Sequence, residues 1–218
     1  MSPHPESSPL ITDVSRETFA RTESIMEQHA VTFSRLVDKW MEWNRSVNLF
    51  SRKTDPELLK LHIIHSLLLV SETSTPDKYR FVIDAGTGGG LPGLPMAIAC
   101  PDKEFLLVDR VGKKILAVKD IVRTLGLSNV NVRSSRVEDL VVPDGSRIVS
   151  KHAFPVEVLL AALNDENWLE IAMLKGHDVF SEIRADLYDT FRFTIRSLQG
   201  ASQTFFEDKY IVLIHKKH

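Results

Sequence analysis

Apolar residues recur at helical spacing through the early part of the chain. Val31, Leu36, Val37, Trp40 and Trp43 give the clearest stripe, and residues 13–46 are predicted to form two helical segments. Trp40 and Trp43 are three apart and share a face. Core packing is their expected role, ahead of stacking on a base. Residues 44–53 (Asn-Arg-Ser-Val-Asn-Leu-Phe-Ser-Arg-Lys) are polar and basic with apolar insertions, the pattern of a loop. Thr54 or Asp55 can cap a third helix, with Pro56 at its first position. That helix runs to about Val70 and carries His62 and His65.

Residues 71–78 are rich in Ser, Thr and Pro and read as a linker. They divide a helical extension, 13–78, from a second domain, 79–218. From Phe81 strand and helix signals alternate. Strands are predicted from Phe81, over Phe105–Asp109, Asn129–Arg133, Arg147–Ser150 and Glu170–Leu174, then Phe191–Leu198 and Phe205–His215. A short apolar helix spans Leu91–Cys100. An amphipathic one runs from Gly112 through Ile115, Val118, Ile121, Val122 and Leu125 to a closing Gly126. Helices between strands imply crossovers and a mainly parallel sheet, an α/β fold. Residues 199–203 are too short for a crossover, so the last two strands should form an antiparallel hairpin.

At 218 residues the chain suits one domain with a small extension. Its 43% hydrophobic and 26% charged residues are ordinary for a globular protein. No apolar run reaches the roughly 18 residues of a membrane helix. The start, Met-Ser-Pro-His-Pro-Glu-Ser-Ser-Pro, lacks an apolar secretion core; residues 1–12 read as a disordered tail and the protein as cytoplasmic. The single Cys100 excludes an intramolecular disulfide and a multi-cysteine metal site. A net charge of −2 gives a nucleic acid no global attraction, so such a partner would need a local basic face.

The chemistry concentrates in Phe81-Val-Ile-Asp84-Ala-Gly86-Thr87-Gly88-Gly89-Gly90-Leu91-Pro92-Gly93. Val82 and Ile83 favour a buried strand; the glycines suit a tight turn where a ligand meets the backbone. The dinucleotide fingerprint G-x-G-x-x-G fails from Gly86, because Leu91 stands at its last position, though Gly88, Gly90 and Gly93 meet its spacing. D-x-G-x-G-x-G fits more fully through Asp84, Gly86, Gly88 and Gly90. A second acid, Asp109, ends the next strand, where a carboxylate can hold ribose hydroxyls. The pattern resembles motif I of S-adenosylmethionine-dependent methyltransferases.

Further stretches extend the resemblance: Trp43-Asn44 with Val47-Asn48-Leu49, His62-Ile-Ile-His65-Ser66-Leu67, Leu107-Val-Asp109 with Lys113-Lys114, Leu125-Gly-Leu127 with Asn129-Val130, Arg136-Val-Glu138, Ser150-Lys151 and Lys175-Gly176. In this order they resemble the bacterial RsmG (GidB) family, 16S ribosomal RNA guanine-N7 methyltransferases. The resemblance implies a class I, Rossmann-like methyltransferase fold, S-adenosyl-L-methionine as cofactor, and the small ribosomal subunit as partner of a monomer. Gly86 and Leu91 would line the cofactor site, with Gly88 and Gly90 shaping the loop. Asp109 would hold ribose, and Val137 and Glu138 would flank adenine. Arg136 would brace that turn or meet RNA; Asp84, Thr87 and Lys151 complete the expected cofactor set. RNA would meet Arg45, Arg52, Lys53, Arg110, Lys113, Lys114, Lys151 and His152.

The chain departs from the family pattern at two places. His65 stands where the family has aspartate, and Ser150-Lys151-His152-Ala153 stands where it has Ser-Arg-Ala. Lys151 keeps the charge without the planar fork of arginine. Guanine N7 loses no proton on methylation, so no general base is needed, and aligning the reactants can itself supply about 7–11 kcal/mol. No catalytic residue is therefore assigned, and no metal site is expected. A methyltransferase for another RNA or a small molecule, and a cofactor-binding RNA module without turnover, remain the alternative readings.

Overall fold

A computed structural model describes residues 9–72, 78–163, 167–199 and 203–217. In chain order it contains β1 (Leu10–Asp13), α1 (Arg16–Gln28), α2 (Ala30–Asn44), α3 (Pro56–Ser71), β2 (Phe81–Ala85), α4 (Gly93–Ala99), β3 (Glu104–Asp109) and α5 (Gly112–Leu125). There follow β4 (Val130–Ser134), β5 (Ser146–Lys151), α6 (Val156–Ala162), β6 (Trp168–Lys175), α7 (Val179–Glu182), α8 (Leu187–Thr190), β7 (Phe191–Ser197) and β8 (Tyr210–Lys216). One eight-stranded sheet has the order β1-β7-β8-β6-β5-β2-β3-β4. Its strands pair in parallel except β8, which is antiparallel to both β6 and β7. The expected α/β fold and terminal hairpin are both present.

Local signals account for many of the element ends. Asp55 caps α3, its side chain accepting from Leu58 N at 2.8 Å, and Pro56 opens the helix. Gly126 ends α5 in the left-handed region, φ 70°. Other boundaries moved. α4 starts only at Gly93, because residues 87–92 are occupied by the glycine turn. β8 starts at Tyr210, since Thr204–Phe206 coil into a 3-10 turn. Residues 1–8 of the expected tail and 73–77 of the expected linker lie outside the described residues. Residues 10–12, expected within that tail, and Asp13, expected to open the helical extension, instead add an edge strand against β7.

Successive strand residues alternate between two apolar layers, as the two-residue period of a strand requires. Val82, Leu107, Val149 and Ala172 face one layer; Ile83, Val108, Ile148 and Ile171 face the other. The first layer also takes Trp40, Leu59, Ile63 and Leu67 from α2 and α3. The helices before residue 72 therefore share a core with the sheet. Arg147, fully buried, ties the two together. Its Nε donates to Glu170 at 2.6 Å and its Nη1 to the Leu69 carbonyl at 2.8 Å. Among the described residues no helix is long and apolar enough to cross a membrane.

Candidate active site

β2 is flanked by β3 on one side and β5 on the other. Their carboxyl ends form the crevice at which open α/β sheets bind ligands. The turn after β2 is held from below by Asp84. Its Oδ2 accepts from Thr87 Oγ1 at 2.5 Å and from Gly93 N at 2.8 Å, so one carboxylate spans the whole glycine loop. Burial pushes the Asp84 carboxyl up to about 7, against the opposing pull of those two donors. Gly88 N donates to Asp109 Oδ2 at 2.9 Å and Val111 N to Asp109 Oδ1 at 2.8 Å, which join the ends of β2 and β3.

Gly86 (φ 72°) and Gly90 (φ 101°) occupy backbone conformations that L side chains rarely adopt. A Cβ on Gly86 would lie 2.5 Å from Ala153 Cβ and 2.8 Å from the Phe154 ring. The segment after β5 thus sits directly on the glycine loop. From the other side, Trp40 Nε1 donates to the Gly89 carbonyl at 2.7 Å. Phe50 packs edge-on against Trp40 and touches the same loop.

Above the loop lies a cleft of about 600 Å³. Of the residues expected to hold a cofactor, Gly86, Thr87, Gly88, Leu91, Asp109, Arg136, Val137, Glu138 and Lys151 line it. Asp84 and Gly90 do not line it. Asp84 is fully buried and anchors the loop; Gly90 turns it toward α4. Of the expected RNA residues, Arg110, Lys114, Lys151 and His152 line the cleft. Arg45, Arg52, Lys53 and Lys113 do not; they are exposed on its surroundings. Leu49 and Phe50, which sit in the loop between Arg45 and Arg52, do reach it, as do Val111, Ser135 and Phe154. The apolar insertions in that basic loop were the signal for Leu49 and Phe50. The two tryptophans are structural: Trp40 is fully buried, and Trp43 Nε1 donates to Asp120 at 2.9 Å.

At the far wall the two departures from the family pattern meet. Lys151 Nζ lies 2.9 Å from His65 Nδ1. His65 is fully buried among Phe205, Phe206 and His152, and its Nε2 has no partner among the described residues. Burial, reinforced by Lys151, holds the imidazole well below its ordinary titration range. Burial and then Lys209 lower the Lys151 amine to about 7. His62, also lining the cleft, falls to about 3 and His152 to about 4, each chiefly through burial. His152 adopts φ 50° at the rim, an uncommon conformation for a residue with a side chain. Cys100, half-buried at the end of α4, is raised to about 11 by burial and is a packed thiol.

The family model described as rRNA small subunit methyltransferase G matches residues 29–204. The chain belongs to this family. A curated relative of that name from Chlorobium limicola is 39% identical over 215 residues, covering 93% of each chain. Another from Phocaeicola vulgatus is 32% identical over 202 residues, covering 88% of this chain and 93% of the relative. Among solved structures, the fibrillarin/Nop5p complex aligns at TM-score 0.55 and 13% identity, over 70% of this chain and 79% of that one. A ribosomal protein L11 methylase from Lactobacillus delbrueckii subsp. bulgaricus aligns at TM-score 0.53 and 16% identity, over 72% and 79%. At these identities the structures share the fold alone.

Membership in the rRNA small subunit methyltransferase G family makes the chain an rRNA methyltransferase, with S-adenosylmethionine as methyl donor. The residues present fit that cofactor. Gly86, Gly88 and Gly89 line the cleft with no side chain, and at Gly86 and Gly89 packing against Ala153 and Phe50 at 2.5 Å and 2.8 Å excludes one. Each Asp109 oxygen accepts one backbone N–H, leaving lone pairs for ribose hydroxyls. Val137 offers an apolar surface beside Glu138, an acceptor for an exocyclic amine. Arg136 lies 3.5 Å from Glu138 in an exposed pair of small energetic weight.

Proposed function

We propose that the enzyme methylates N7 of a guanosine in 16S ribosomal RNA, acting as a cytoplasmic monomer on the small ribosomal subunit. The observation that supports this atom is the distribution of acids in the cleft. Its lining carboxylates, Asp109 and Glu138, lie at the end of β3 and after β4, the side assigned in this reading to ribose and adenine. The opposite wall is Leu49, Phe50, His62 and the segment from Lys151 to Phe154, with no carboxylate among them. A ring nitrogen with a free lone pair needs none, because no proton leaves it.

The bound cofactor supplies a methyl group on a sulfonium centre. The chain's residues orient and enclose the reactants. Asp109, Val137 and Glu138 hold the nucleoside half, and the bare loop from Gly86 to Gly88 admits the amino-acid half. Leu49, Phe50 and Phe154 give the incoming base apolar surface and exclude water. Arg110, Lys114 and His152 on the rim, with Arg45, Arg52, Lys53 and Lys113 outside it, offer contacts to phosphates. A target base in structured RNA would be splayed out to enter.

Transfer of labelled methyl groups to intact and protein-depleted small subunits, followed by nucleoside analysis, tests the reading. The expected product is 7-methylguanosine at one site, with rates that fall steeply with salt. Methyl on another atom, or no transfer while cofactor binding persists, would overturn it.

A further inference from the structure

Lys175-Gly176 is one of the stretches that carry the family resemblance, yet neither residue lines the cleft. Lys175 is the last residue of β6 and is buried. Its Nζ donates to the Phe154 carbonyl at 2.9 Å and lies 2.6 Å from Glu182 Oε2. Val179 N donates to the Gly176 carbonyl at 3.2 Å, so the chain turns from β6 straight into α7 and brings Glu182 back to Lys175. The same Glu182 oxygen accepts from Val156 N at 2.9 Å. Val156 opens α6, and the cap residue before it, Pro155, gives no side-chain bond of its own. Glu182 thus satisfies an open helix N–H from outside the helix. One step earlier, His152 N donates to the Leu174 carbonyl at 3.1 Å. Residues 152, 154 and 156 are each tied to the end of β6 or to α7. On its cleft side the same segment packs Ala153 and Phe154 against Gly86, and Phe154 lines the cleft.

We propose that Lys175 and Glu182 are positioning residues for methyl transfer: their buried ion pair clamps the peptide on both sides of Pro155 and so fixes Phe154 over the glycine loop, where the target base enters. This rests on the reading above in which Phe154 gives the incoming base apolar surface. Neither residue of the pair reaches the reactants. Both act through backbone atoms, the carbonyl of Phe154 and the N–H of Val156. Transfer needs the accepting atom at near-attack distance from the methyl group, and a misplacement of about 1 Å can cost about 100-fold in rate.

Residues 152–155 lie between β5 and α6, outside the hydrogen-bond ladder of either, so the ties from β6 and α7 set where they stand. An ion pair suits this task better than a lone hydrogen bond. One amine spans a carbonyl and a carboxylate, and one carboxylate oxygen spans that amine and a peptide N–H. Such charge-assisted bonds are shorter and stronger than neutral ones. The two charges also neutralise each other where water does not reach, which a single charge there would not allow.

The test uses the full chain and small-subunit RNA. Single-turnover transfer is measured at saturating RNA and methyl donor, with urea unfolding on the same preparations. The rates are read independently of which atom is methylated, which nucleoside analysis of the wild-type product settles. Phe154→Ala alone tests the reading beneath and should be slow; wild-type speed there would overturn that reading and the clamp with it. Lys175→Met should slow transfer about 100-fold and lower the urea midpoint, because Glu182 loses its counter-charge. The double change Lys175→Met with Glu182→Leu leaves no charge unpaired. It should regain the urea midpoint and stay slow in transfer, an outcome that a purely structural ion pair would not give. Glu182→Gln keeps an oxygen for Val156 N and should lose less transfer than Lys175→Met. In the Phe154→Ala background, Lys175→Met should change the rate by less than about threefold, since the ring it places is gone. Transfer that recovers together with the urea midpoint in the double variant would overturn the assignment while leaving Phe154 at the base. So would full multiplication of the Lys175→Met and Phe154→Ala effects.

Discussion

Trp40 Nε1 donates to the Gly89 carbonyl at 2.7 Å, across a sequence separation of 49 residues. The second helix therefore holds the glycine loop that lines the cleft. Trp40→Phe keeps the ring and removes the donor, leaving a buried carbonyl unpaired. It should cost about 1–3 kcal/mol in urea unfolding and weaken S-adenosylhomocysteine binding in calorimetry. Unchanged affinity would show that the loop holds its shape without α2.

Gly86→Ala places a Cβ 2.5 Å from Ala153, in a backbone region with φ 72°. The segment carrying Lys151 must then move. Cofactor affinity should fall at least about tenfold, equivalent to 1.4 kcal/mol. Gly145→Ala is the matched control, with φ 72° and open space around it. It should cost about 1–2 kcal/mol of stability and leave cofactor affinity unchanged.

Asp84 binds its proton more tightly in the fold than in the unfolded chain, because burial raises the carboxyl from 3.8 to about 7. Its contribution is fully present below pH 3.8 and is lost as pH rises toward 7. Asp84→Asn removes this titration. The stability difference, wild type minus variant, should fall by a few kcal/mol between about pH 5 and pH 8 in denaturant titrations. A difference independent of pH would show that Asp84 does not titrate there.

Arg147 and Glu170 are both buried and lie 2.6 Å apart. Arg147→Ala leaves buried Glu170 with His215 at 3.2 Å in place of a permanent charge, and frees the Leu69 carbonyl. A loss of about 3–5 kcal/mol is expected, with α3 loosening first in hydrogen exchange. The double change Arg147→Met with Glu170→Leu should recover much of the loss, since no buried charge is left unpaired.

The parts of this protein that could be read along the chain are those set by near neighbours. The strand from Phe81, the turn that needs Gly86 and Gly90, the Asp55 cap and the Gly126 stop each depend on a few adjacent residues. Asp109 was readable too, because a carboxylate ending the strand beside a glycine turn has few other places to point. Contacts between distant segments were not. His65 and Lys151 lie 86 residues apart, and each alone read as a solitary departure; packing α3 against the end of β5 joins them. Asp84 looked like a ligand-contacting acid until the loop's own N–H and hydroxyl turned out to use it from beneath. Leu49 and Phe50 enter the cleft while the basic residues around them stay outside. Local sequence sets backbone conformation and the face of each strand. Which side chains face one another across a cleft depends on how whole helices settle on the sheet, and that is decided by the burial of the shared core.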